Sequence, residues 1–207
     1  MKQGSNEQKF VDLWKRTNSK KNPKPVYDMI EYSYSGREYH NLIHIDNCLN
    51  EFKCCSQLLE DQNQVEMAIW FHDIIYDTKA KDNEEKSGSL TMALLWWENQ
   101  LDYSFVKGVE SLILATKHIE PPKTTDAKYL VDIDLSIFGT DQNKYNQYRD
   151  NIRKEYSWVP DDVFKEKRVK VLNNFIAKPS IFCTDLFKQK YEDKARVNIS
   201  GELTLYL

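Results

Sequence analysis

Cysteine, glycine and proline are all scarce: four, six and six in 207 residues. Cys48, Cys54, Cys55 and Cys183 form no CxxC pair and show no disulfide-framework spacing. That excludes a stapled secreted scaffold and a cysteine-rich zinc module. Cys48 and Cys55 fall on one face of a predicted helix and read as small core residues. The net charge is only −3, which gives no bias toward a nucleic-acid polymer or an anionic membrane. No run approaches the roughly 18 apolar residues of a membrane span. The opening MKQGSNEQKF lacks the apolar core of a signal peptide, so a cytoplasmic location is the expectation. Hydrophobic residues at 41% are enough for a well-buried single domain and argue against disorder.

With few breakers, apolar residues recur mostly at helical spacing, and nearly the whole chain reads as helix. The first helix covers 7–17, with Phe10, Val11 and Trp14 on one side. A polar stretch from Asn18 to Pro25 breaks it. Helices follow at 26–34, 41–59 and 64–77, the last apolar nearly all round, as at the centre of a bundle. Residues 83–99 turn Leu90, Ala93, Leu94 and Trp97 inward. Ser104 caps a helix reaching about 117, with Phe105, Val109, Leu112, Ile113 and Thr116 inward. Tyr129 to Gly139 alternates like a strand, yet no partner strand is evident and an isolated strand is unstable. It is therefore assigned to helix, ended by Gly139. Helices near 142–157, 161–177 and 186–206 complete an all-α chain: residues 1–25 a helix and linker, 26–140 the core, 141–207 the C-terminal helices. Five tryptophans, Trp96-Trp97 among them, leave room for a homodimer interface.

The chemistry gathers at His72-Asp73, inside the apolar run AIWFHDIIYD. A bare buried charge is costly, so such a carboxylate is paired, neutralised or bound to metal. Imidazole and carboxylate oxygen both ligate divalent ions. On a helix the two residues point about 100° apart and can still converge on one ion. There are only four histidines: His40, His44, His72 and His118. His40 and His44 share a face if both are helical, though His40 can lie just before the helix. Asp134 is the best further ligand. Bland readings stand beside these: hydrogen-bonded core histidines, Asp73 paired with a lysine or arginine, and Asp132 and Asp134 as caps or a solvated face.

The order His44, His72-Asp73, Asp134 resembles the signature of the HD-domain superfamily of metal-dependent phosphohydrolases. GREYHNLIHI, AIWFHDIIYD, DNEEKSG, LILATKH and DIDLSIFG are similar to a bacterial subfamily known as predicted HD phosphohydrolases. The likeness continues through YRDNIRKEYSWVP and KARVNISGEL and spans about 35–205. It implies an all-α HD-like helical bundle with extra C-terminal helices. It also implies His44, His72, Asp73 and Asp134 as metal ligands, Asp134 rather than Asp132. Two-metal members follow H…HD…H…H…D. Only His118 lies between the HD pair and Asp134 here, which implies a single divalent ion: manganese, magnesium, nickel, cobalt, iron or zinc. Gly88 stands where the subfamily usually has alanine.

The expected activity is hydrolysis of a small phosphorylated molecule, a nucleotide among the options, by a metal-activated water. Asp73 or Glu84 would take a proton, and His118 would protonate the leaving oxygen. Glu84 equally reads as a helix-start carboxylate favoured by the macrodipole. Arg37, His40 and Asn83 would hold phosphate or sugar. Arg149, Arg153 and Arg168 read as ion-pair partners of Glu155, Asp161 or Glu166, or, for the first two, as phosphate contacts. The alternatives are a non-catalytic nucleotide- or ligand-binding module and a di-iron oxygenase, which the missing histidine disfavours.

Overall fold

The computed structural model describes residues 5–206. Ten α-helices, and no strand, occur among the described residues. The chain divides into two compact units, one through Leu130 and one from Val131. The division falls inside a helix.

In the first unit, α1 (Asn6–Arg16), α2 (Lys24–Tyr34), α3 (Leu42–Cys55), α4 (Gln62–Phe71), α5 (Asn83–Thr91) and α6 (Tyr103–Ala115) precede the start of α7 (Thr125–Leu135). Polar side chains cap several of the helix starts. Asn41 accepts from Ile43 N–H, Asp61 from Asn63 and Gln64 N–H, and Asp102 from Phe105 N–H. The cap of α6 is therefore Asp102, not Ser104, whose hydroxyl instead donates to Asp102 at 2.5 Å. Asp126 on α7 accepts the N–H groups of Glu60 and Asp61, at 2.7 and 2.9 Å, and so secures the entry to α4. The core is aromatic. Phe10, Trp14, Trp70 and Phe71 are almost fully buried, and Phe10 meets the Trp70 ring edge-to-face at 5.5 Å. Burial of each such side chain stabilises by roughly 1.5–3 kcal/mol.

Two further expectations for this unit are corrected. The helix expected over 64–77 ends at Phe71, so His72-Asp73 lies in a turn. His72 N–H still bonds Ala68 C=O, but beyond it the backbone finds other partners. Ile75 N–H donates to Ser87 Oγ, and Asp77 N–H to Asn83 Oδ1. These bonds to α5 replace further helical turns. The helix expected over 83–99 turns π-helical over Met92–Glu98. The buried face is already set in α5 by Ser87 and Thr91 and continues to Leu95, one position away from the expected Leu90, Leu94 and Trp97 face, and Trp97 is 75% exposed.

In the second unit a 3-10 turn (Ser136–Gly139) extends the end of α7, and α8 (Gln142–Glu155), α9 (Asp161–Ile176) and α10 (Asp185–Thr204) follow. The segment that alternates like a strand is thus helical, as assigned. Gly139 is there because a Cβ would meet Tyr191 Cβ at 2.4 Å. Arg168 and Glu202 form a buried two-point ion pair at 2.8 and 3.1 Å, with the Tyr145 hydroxyl donating to Glu202 at 2.6 Å. No helix is long and apolar enough to cross a membrane among the described residues.

Candidate metal centre

α3 and the turn after α4 bring three ligand atoms together. His44 sits in the first turn of α3, on its buried side, and His72 closes α4. Their Nε2 atoms are 3.2 Å apart. Asp73 Oδ2 lies 3.1 Å from His72 Nε2 and 3.9 Å from His44 Nε2. An ion with ligands at about 2.1 Å separates neighbouring ligand atoms by about 3.0–3.4 Å. The triangle is close to that size, and the group could hold a metal ion.

Hydrogen bonding tells which lone pairs face the triangle. His72 Nδ1 is 2.9 Å from Ile69 C=O, a contact that requires the proton on Nδ1. In the neutral ring Nε2 then carries a lone pair. That lone pair faces a carboxylate oxygen, which is also an acceptor. It can take a hydrogen bond from His44 Nε2, 3.2 Å away, or bind a cation held between the three atoms. A backbone carbonyl fixing the far nitrogen is the usual arrangement of a metal-bound imidazole.

The surroundings are aromatic and tightly held. Tyr34 is buried, and its hydroxyl bonds Trp70 C=O at 3.1 Å. Burial, and next the Asp73 carboxylate, push its pKa well above the usual tyrosine range. His40 lies just before α3, stacked on Tyr76 with ring centres 3.9 Å apart and 6.0 Å from the His44 ring. Cys48, one turn after His44, puts Sγ 3.7 Å from His44 Nε2. The sequence offered a signal for that contact, since 44 and 48 are four apart on one helix, but Cys48 read only as core.

Other expected site residues are placed differently. Asn83 uses its side-chain amide on both the N–H and C=O of Asp77, each at 3.0 Å. Arg37 donates to the carbonyls of His40, Asp73 and Ile74. Glu84 lies in the first turn of α5, and His118 just past α6 with φ 57°; neither belongs to the cluster of ligand atoms.

Asp134 lies in the last turn of α7, within the second unit. Its neighbour Asp132 is fully buried and accepts from Cys183 N–H (2.6 Å), Thr184 N–H (2.7 Å) and Thr184 Oγ (2.6 Å). Asp132 therefore anchors the start of α10, a capping role of the kind held open for it. Arg149 pairs with Asp150 at 2.9 Å and Arg153 with Asp161 at 2.6 Å, in a hollow of about 240 Å³ that Phe164, Lys165 and Tyr206 also line. Asp161 is among the partners expected. Asp150, and Glu202 for Arg168, are not; Glu202 lies 34 positions from Arg168, with no local signal.

No family model, no curated protein and no solved structure matches this chain.

Proposed function

We propose that the protein is a metal-dependent phosphohydrolase of the HD type, acting on a small phosphorylated molecule. One observation carries the reading: two buried imidazole nitrogens and a carboxylate oxygen meet with edges of 3.1–3.9 Å. A mixed nitrogen and oxygen set suits several divalent ions and does not choose among them. A bound divalent ion would neutralise phosphate oxygens and lower the pKa of water at the site.

The chain's own groups supply the rest. His72 is held by Ile69 C=O in the tautomer that presents Nε2. Asp73 is the group we assign to accepting a proton, because its carboxylate is the one at the cluster. Glu84 and His118, outside that cluster, are assigned no step.

The test is a phosphatase and nucleotidase screen with manganese, magnesium, nickel and cobalt in turn. Phosphate release from one substrate class, lost in His72→Ala, is the expected result. Nucleotide binding without turnover under every ion would replace this reading with a non-catalytic module. Two irons per chain would revive the oxygenase.

A further inference from the structure

Arg37 reads from sequence as a phosphate contact, but its guanidinium is engaged in another way. Nη1 donates to Asp73 C=O at 2.5 Å and to His40 C=O at 3.3 Å. Nη2 donates to Ile74 C=O at 2.9 Å. The guanidinium carbon lies 4.9 Å from the Tyr34 ring centre and 5.8 Å from that of Tyr76.

The three carbonyls belong to two segments. His40 leads into α3, which carries His44. Asp73 and Ile74 follow α4, in the turn that carries the other two ligand atoms. Asp73 and Ile74 lie beyond the end of α4, where carbonyls have no intrahelical partner. One planar, forked cation answers both segments at once.

Neighbouring residues fix the base of the fork. Gly36 takes φ +73°, open to glycine without strain, and starts the turn. Asn41 donates to Arg37 C=O at 3.0 Å and to Glu38 C=O at 3.1 Å, while its Oδ1 caps α3.

We infer that Arg37 is a positioning residue, whose guanidinium ties the approach to His44 to the His72-Asp73 turn and so presets the spacing of the metal ligands. The inference rests on the metal reading above. Lysine, a point charge on a flexible stem, cannot reproduce a fork across two segments. Outer residues that hold metal ligands typically govern 10–100-fold in metal affinity.

The experiment titrates cobalt(II) into metal-free wild type, Arg37→Lys, Arg37→Met and His72→Ala. It reads affinity by calorimetry, the cobalt visible spectrum and the melting temperature without metal. In Arg37→Lys we expect affinity at least tenfold weaker and an altered cobalt spectrum, with metal-free melting near that of wild type. A purely structural role would lower melting and leave affinity and spectrum unchanged in the folded protein, and that result overturns the inference. So does an Arg37→Lys protein that binds cobalt as wild type does but loses affinity for inorganic phosphate, which would return Arg37 to substrate contact. Wild type that takes up no cobalt removes the metal reading itself, and the inference with it. Arg37→Met checks that the effect follows the fork rather than the charge.

Discussion

His44 and His72 hold their Nε2 atoms 3.2 Å apart across 28 positions of sequence. Both rings are buried, and Asp73 completes the triangle. Close approach of such groups away from water is costly unless a proton or an ion is shared among them. α4 ends at Phe71, and the turn that follows carries His72 and Asp73.

The second unit depends on a buried charge pair, and pH reports on it. Burial pushes the Glu202 pKa up, but hydrogen bonding and charge from Arg168, with hydrogen bonds from Tyr145 and Tyr206, outweigh it and leave the pKa below the ordinary 4.5. A lowered carboxyl pKa contributes stability above the unfolded value, and that contribution fades as pH falls through the folded one. Glu202→Ala should cost about 3–5 kcal/mol at pH 7, because it leaves Arg168 charged and buried. Glu202→Gln should flatten part of the stability loss of wild type below about pH 4.5. Urea unfolding at a series of pH values measures both.

Asp132 is predicted to be structural. Asp132→Ala removes the acceptor of the Cys183 and Thr184 N–H groups and of the Thr184 hydroxyl. A loss of about 2–3 kcal/mol follows from orphaning buried donors. Chemical denaturation reads it, and an unchanged midpoint would contradict the anchoring role.

The cysteines should separate by reactivity. Cys54 is exposed, and Cys48 and Cys55 are buried. Burial, and next the Asp132 carboxylate, push the Cys183 thiol up to about 11. The thiolate is the reactive form. Thiol titration of the folded protein at pH 8 should find Cys54 fast, Cys183 slow, and Cys48 and Cys55 silent until denaturant is added.

Much of this was legible in the sequence, for identifiable reasons. Helical periodicity placed the helices, and scarcity of strand partners decided Tyr129 to Gly139. A histidine and a carboxylate set in an apolar run pointed to His72 and Asp73, and the resemblance in motif order pointed to His44. What escaped was tertiary. Apolar periodicity cannot show that Ser87 and Asn83 take over the backbone after Phe71 and end the helix. Nor can it choose the face through Ser87, Thr91 and Leu95 over the neighbouring one that holds Trp97. Arg37 and Asn83 look from composition like ligand-binding groups because a donor's partner, here backbone, is invisible in one dimension. Arg168 finds Glu202 on a different helix for the same reason.

The most direct measurement is the metal content and cobalt(II) titration of purified wild type beside His72→Ala. Wild type should take up about one ion per chain, and His72→Ala should take up none at the same concentrations. Equal uptake by the two proteins would contradict a metal centre at His44, His72 and Asp73.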